Sequence, residues 1–241
     1  GQSLARWLAA ELAATPVRVE ALPATELSGF LLRSDMSDTL VVAISQSGTT
    51  TDTNRTVDLV RGRGGHVVAI VNRRASDLTD KSDGVLYTSD GRDVEMSVAS
   101  TKAFYAQIAA GFLLAAAVAQ EVPGTEAGAT RRQERRAGRR APPPAMEAPL
   151  GRRSVIAEAA QGVCPPRRYW AIVGSGANRV AAEEIRIKLS ELCYKAIASD
   201  AIEDKKHIDL SSEPLILVCA AGLSGSNADD VAKEVAIYRA H

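Results

Sequence analysis

With 29 Lys+Arg set against 29 Asp+Glu, this 241-residue chain is neutral overall and has no general attraction for a polyanion. At 46% hydrophobic and 24% charged residues it has the make-up of a globular protein, long enough for one large domain or two lobes. Its three cysteines and three histidines are scattered without metal-site spacing, which suits a reducing, cytoplasmic setting and leaves no metal or cofactor to expect.

The first predicted element is a helix over Ser3–Ala14, with Leu4, Trp7, Leu8 and Leu12 at helical spacing, stopped by Thr15-Pro16. Alternation over Val17–Glu20 predicts a short strand, and Glu26–Arg33 a second helix capped by Thr25. Val41-Val42-Ala43-Ile44 reads as a buried parallel strand, followed by the hydroxyl- and amide-bearing loop Ser45-Gln46-Ser47-Gly48-Thr49-Thr50. Thr51-Asp52-Thr53 then supplies N-cap residues for a helix running to Arg63 and ending at Gly64-Gly65. His66–Asn72 predicts another buried strand, Ser76–Lys81 a short helix and Val85–Thr88 a short strand. A long helix is expected from Ser97 to Gln120; its apolar stretch Ala103–Ala119 contains Tyr105 and Gln107 and reads as a core helix, not a membrane span. No secretory signal opens the sequence.

Residues 121–168 differ in kind. They hold seven of the ten prolines and ten arginines against five glutamates, and Arg131–Arg140 alone has six arginines. No aromatic residues interleave with these arginines, so a solvated linker is favoured over a nucleic-acid patch. Helical character returns over Met146–Gln161, expected to pack between lobes. From Tyr169 the strand–loop–helix plan repeats: Tyr169–Val173, then Gly174-Ser175-Gly176, then a strong helix Ala177–Tyr194. The third position of a GxGxxG fingerprint is Arg179, so a dinucleotide is not indicated. A strand over Leu215–Ala220 and a helical run from Ala228 complete the chain. Alternating strands and helices predict an α/β fold of two lobes, each a parallel sheet flanked by helices in flavodoxin-like fashion. The expected division is 1–120, a linker 121–168, and 169–241.

Two places could carry chemistry. A strand that ends in a hydroxyl loop and turns into a helix aims backbone N–H groups and the positive helix end at one point, which suits an anion. With no lysine and no GxxxxGK[ST] pattern, a phosphate monoester such as a sugar phosphate fits better than a nucleotide with magnesium. The same stretch is also compatible with an ordinary Ser/Thr-rich connection. On the helix Ala177–Tyr194, Ile185, Leu189 and Leu192 form an apolar stripe, with Glu184, Lys188 and Glu191 one residue earlier each time, beside the face expected to be buried. A carboxylate at such a margin loses part of its hydration, as general acid–base work requires, and the lysine can steady a charge. A surface Glu–Lys–Glu ladder would look the same in sequence. His207 follows a charged loop, Glu203–Lys206.

These stretches carry a resemblance. Ser45–Thr53 resembles the SQSGxTxDT signature of sugar isomerase (SIS) domains, and Val98-Ala99-Ser100-Thr101-Lys102-Ala103-Phe104 resembles the VASTKAF motif of one branch, the isomerising glutamine–fructose-6-phosphate aminotransferases. The resemblance covers roughly residues 4–120 and 168–222. It implies that Ser45, Gln46, Ser47 and Thr50 bind the phosphate of fructose 6-phosphate, that Val98 and Ser100 line the sugar, and that Glu184, Lys188 and Glu191 form the catalytic set. Glu191 is then the base moving a proton between C1 and C2. His207 matches a histidine linked to ring opening that serves a neighbouring subunit, which implies a homodimer. The implied activity is the isomerase half of a glucosamine-6-phosphate-forming aminotransferase; a non-catalytic phosphosugar-binding domain is the alternative.

The sequence departs from the pattern at Thr49, where glutamate is usual, and at Asp204-Lys205-Lys206, where ELK is usual. The family's first strand and Gly-Thr-Ser loop would precede Gly1, its Schiff-base lysine would follow His241, and its glutaminase domain lies outside this sequence. Weak or no turnover is therefore expected of these residues alone.

Overall fold

The computed structural model describes residues 1–90, 99–122, 147–163, 167–207 and 210–240, leaving aside the side chains of 206, 207 and 211. By the pattern of internal packing the chain divides into two compact units, Gly1–Ala127 and Gly128–His241. Each is an α/β unit built on a parallel sheet of three strands.

In the first unit β1 (Leu40–Ser45), β2 (His66–Val71) and β3 (Gly84–Tyr87) lie side by side in that order. Their register pairs Ser45 with Val71 and Val71 with Tyr87, so the three strands end in one row. The loops that follow them therefore emerge at one edge, where open α/β sheets bind ligands.

Central strand β2 is apolar on both faces because both are covered. Val67, Ala69 and Val71 pack with Met36, Val57, Val60 and Leu78, which brings α3 (Thr51–Arg61) and α4 (Asp77–Asp80) onto one face. Ile70 packs oppositely, with Leu4, Ala110 and Ala115 of α1 (Gln2–Glu11) and α5 (Lys102–Glu121). Small residues let those two helices approach, since Gly111 leaves room for Leu4 and Trp7 meets Phe112 edge-on at 5.3 Å. Helix α5 is long and apolar enough to cross a membrane by length and composition; a third of that stretch is buried within the unit, through Ala103, Ala110, Ala115, Ala116 and Ala119 among others. Ile70 is fully buried, so Ile70→Ala is expected to destabilise the unit by about 2–5 kcal/mol, read as a lower urea midpoint at unchanged slope.

Asp83 ties the far end of this sheet together. It accepts the Val67 N–H at 2.8 Å and an Arg61 N–H at 2.6 Å, and these bonds hold its carboxyl below the usual carboxylate range. That contribution is present above the ordinary carboxylate pKa and is lost as pH falls through the lowered value.

In the second unit β4 (Trp170–Gly174) lies between β5 (Ala198–Asp200) and β6 (Leu215–Cys219). Ala171, Ile172 and Val173 are fully buried, and Ile172 packs against Ala182 of α7 (Ala177–Cys193). Before the sheet comes α6 (Arg153–Val163), after it α8 (Ser226–Ala240).

Several elements differ from expectation. Val17–Glu20 is not a strand: the segment pairs with no neighbour and Val17 is half exposed, because four alternating residues have no covered face to bury. The second helix starts earlier, with α2 at Ala24–Glu26 behind Pro23 in place of a Thr25 cap, and continues as one π turn over Leu27–Leu31. Helix α3 begins at Thr51 with Thr50 as N-cap, two residues before the expected start. Helix α5 begins at Lys102 after Thr101, so Ala99 and Ser100 belong to a loop and not to the helix expected from Ser97. The helical character expected over Met146–Gln161 is present at 147–150 and, after a turn at 151–152, in α6, but α6 buries none of its residues. Met146 itself, Cys164, His241 and the run Arg131–Arg140 lie outside the described residues.

Candidate functional site

The loop after β1 is shaped by its own polar atoms. The buried Ser45 hydroxyl accepts the Gly48 N–H at 3.0 Å, which turns the chain back as the strand ends. Gly48 has φ +67, a left-handed conformation that glycine adopts freely. A Cβ there would overlap the Ser76 hydroxyl, lie 2.7 Å from Ser76 Cβ and crowd Val71. Ser47 Oγ accepts the Thr49 N–H and hydroxyl at 3.3 and 3.0 Å, and Thr49 and Thr50 are exposed. As N-cap of α3, Thr50 makes no side-chain bond to the helix N–H groups. The hydroxyl is thus not consumed in capping, and the positive end of an eleven-residue helix faces the same edge.

The loop's carbonyls point the other way, into neighbouring elements. Gln46 C=O accepts the N–H groups of Asn72 and Arg73 at 3.1 and 3.3 Å. Gly48 C=O accepts Leu78 N–H at 3.1 Å and Asn54 Nδ2 at 3.0 Å. Thr50 C=O takes the backbone N–H and Nδ2 of the same Asn54, at 3.0 and 3.1 Å. The turn after β2 is therefore stitched to the loop after β1. Asn54 and Asn72 were not singled out from the sequence; the only available signal for Asn54 was a polar residue on the buried face of an amphipathic helix.

Of the residues expected to line the sugar, Ser100 is half-buried in the loop leading to α5, and Val98 lies outside the described residues. Ser45, Gln46, Ser47 and Thr50 are brought together by one turn of chain.

In the second unit Glu184, Lys188 and Glu191 do form one stripe on α7. Lys188 Nζ sits 3.3 Å from Glu184 and 3.4 Å from Glu191, so the lysine bridges both carboxylates. Of the apolar stripe expected to be buried beside them, Leu189 packs against Ile172, Ala182 and Ile197, but Ile185 and Leu192 do not. The helix buries Ala182, while Ile185 is 39% and Leu192 62% exposed. The charged side chains are more sheltered than these apolar ones, at 23%, 19% and 31% exposure for Glu184, Lys188 and Glu191. At its start α7 comes close to β4: a Cβ on Gly174 would lie 2.7 Å from the Asn178 carbonyl carbon.

His207 ends the 3₁₀ turn Glu203–His207. In that turn the Lys205 amine is buried, which lowers its pKa against the opposing pull of Asp200. The turn is braced from α8, whose Tyr238 hydroxyl donates to the Ile202 carbonyl. Burial first, then Glu234 and Asp204, push that phenol up to about 12. Among the described residues no group of three or more His, Cys, Asp or Glu side chains is placed to hold a metal ion.

Comparison with known proteins bears on both regions. Residues 1–117 match the model of the SIS domain. The glutamine–fructose-6-phosphate aminotransferase [isomerizing] of Streptomyces coelicolor is 36% identical over 200 residues, covering 79% of this chain and 31% of that protein. The chain thus spans about a third of the length of this curated relative. Among solved structures, the C-terminal domain of glucosamine-fructose-6-phosphate aminotransferase from Francisella tularensis superposes with a TM-score of 0.77 at 24% identity, covering 100% of this chain and 66% of that one. Tagatose-6-phosphate ketose/aldose isomerase from Escherichia coli superposes with a TM-score of 0.64 at 20% identity, over 90% of this chain and 58% of that one. These two likenesses establish the fold.

Proposed function

We propose, because residues 1–117 match the SIS domain model, the chain is homologous to glutamine–fructose-6-phosphate aminotransferases and its fold is that of a phosphosugar isomerase, that it is the sugar-phosphate-handling part of an isomerising aminotransferase. The substrate is fructose 6-phosphate and the product class glucosamine 6-phosphate. The observation that carries this reading is the loop Ser45–Thr50. Its carbonyls at Gln46, Gly48 and Thr50 are turned inward, while the Ser47 and Thr50 hydroxyls and the α3 N-terminus remain for an anion.

In this reading Ser45 shapes the turn, Ser47 and Thr50 donate to the phosphate oxygens with Gln46 beside them, and Val98 and Ser100 line the sugar. The two halves of the chain are two SIS-type lobes, 1–120 and 169–241, joined by 121–168. The second carries the acid–base set Glu184, Lys188 and Glu191. Lys188 holds Glu191 in place through the 3.4 Å ion pair and offsets charge that develops on the sugar oxygens. Glu191 carries the proton between C1 and C2. His207 assists ring opening, in the family's manner from a neighbouring subunit, so the working unit is a homodimer in the cytoplasm. Nitrogen comes from a glutaminase domain or from ammonia outside these residues.

Calorimetric titration of the whole chain tests the binding half of the reading. Fructose 6-phosphate is expected to bind at least about 100-fold more tightly than fructose, because charge-assisted bonds to the phosphate dominate. Equal affinity for the two sugars would remove the phosphate from the account.

A further inference from the structure

The loop after β1 carries hydroxyls and an amide but no cationic side chain, so a phosphate dianion seated there needs a counter-charge from elsewhere. The geometry points to Arg73 as the residue that supplies it, an inference that rests on the sugar-phosphate reading of this loop. Arg73 opens the turn after β2, in the same strand-end row as Ser45. Its N–H and that of Asn72 both bond the Gln46 carbonyl, which fixes the start of the Arg73 side chain beside the hydroxyl loop.

Two arginines stand in this turn, and the structure separates their tasks. Arg74 lies over the Tyr87 ring at 4.2 Å and is engaged by it. Arg73 is exposed, and its guanidinium has no hydrogen bond or ion pair among the described residues. Asn54, 6% exposed, holds the loop in this position by donating its Nδ2 to the Gly48 and Thr50 carbonyls. The ligand class is a phosphate monoester, for which a planar guanidinium offers two parallel N–H donors.

The test is calorimetric titration of the whole chain with fructose 6-phosphate and with inorganic phosphate, comparing wild type, R73Q, R73K and R74Q at two salt concentrations. R73Q is expected to weaken both ligands about 10- to 100-fold, in keeping with loss of a charge-assisted pair, with a shallower salt dependence. R73K should recover part of the loss as a point charge, and R74Q should bind within about twofold of wild type. R73Q and R73K should melt with the wild type, since the Arg73 guanidinium makes no hydrogen bond or ion pair among the described residues. Wild-type affinity in R73Q, with wild type binding fructose 6-phosphate, would overturn the role of Arg73 alone. A wild type that binds neither ligand would overturn the sugar-phosphate reading and this inference with it.

Discussion

Gly48→Ala should destabilise the first unit by about 2–4 kcal/mol, the sum of a left-handed backbone penalty and overpacking. At φ +67 any Cβ is strained, and here it would also meet Ser76 Cβ at 2.7 Å. Rotating the Ser76 hydroxyl away cannot relieve the second clash, because Ser76 Cβ is fixed to a backbone that opens α4. The change should be read as a melting point lower by on the order of 10 °C. Fructose 6-phosphate binding should fall further than stability does, since the turn positions Ser47 and Thr50. A variant that melts and binds like wild type would show that the turn after β1 relaxes freely and does not shape the site.

Glu191→Gln is the second large effect, and it falls on chemistry instead of stability. The substitution keeps the shape of the side chain and removes its capacity to take a proton. Exchange of the C1 and C2 hydrogens of the sugar phosphate with solvent, followed by NMR in deuterium oxide, should slow by about 10²–10⁴-fold, the usual range for loss of a positioned general base. Affinity should stay within a few-fold, because the substitution removes none of the hydroxyls proposed to hold the phosphate. Lys188 keeps Glu184 at 3.3 Å, so the fold should lose less than about 1 kcal/mol. Unchanged exchange in the variant would exclude Glu191 as the base. In the full-length protein that contains these residues, a wild type that binds without any exchange would favour a phosphosugar-sensing domain.

Much of the first unit can be read from its amino acids. Continuous apolar runs at Val41–Ile44 and His66–Val71 mark strands covered on two faces, and strand–loop–helix order fixes where the hydroxyls must emerge. What could not be read depended on distance in space. The cap of α3 fell on Thr50 and not on the run Thr51–Thr53, because the Asn54 amide draws the Thr50 carbonyl into the first helical turn. Arg73 stood unremarked between a strand and a turn; only the register of β1 against β2 sets it beside Gln46. On α7 the apolar stripe Ile185–Leu189–Leu192 suggested the buried face, and Leu189 does join Ala182 against the core, while Ile185 and Leu192 stay outside. Hydrophobic periodicity reports which side chains share a stripe, not how much of that stripe a neighbouring strand reaches.

The inward carbonyls of the loop after β1 have one more consequence. With the oxygens of Gln46, Gly48 and Thr50 committed to Asn72, Arg73, Leu78 and Asn54, that stretch of main chain has its acceptors occupied and its neighbours held in step. The polarity of the rim is therefore set by folding itself, before any guest arrives. A hydrated cation approaching it finds few lone pairs with which to replace its water, while an anion finds donors that need little rearrangement. Selection by sign of charge is built into the same bonds that hold three elements of the unit together.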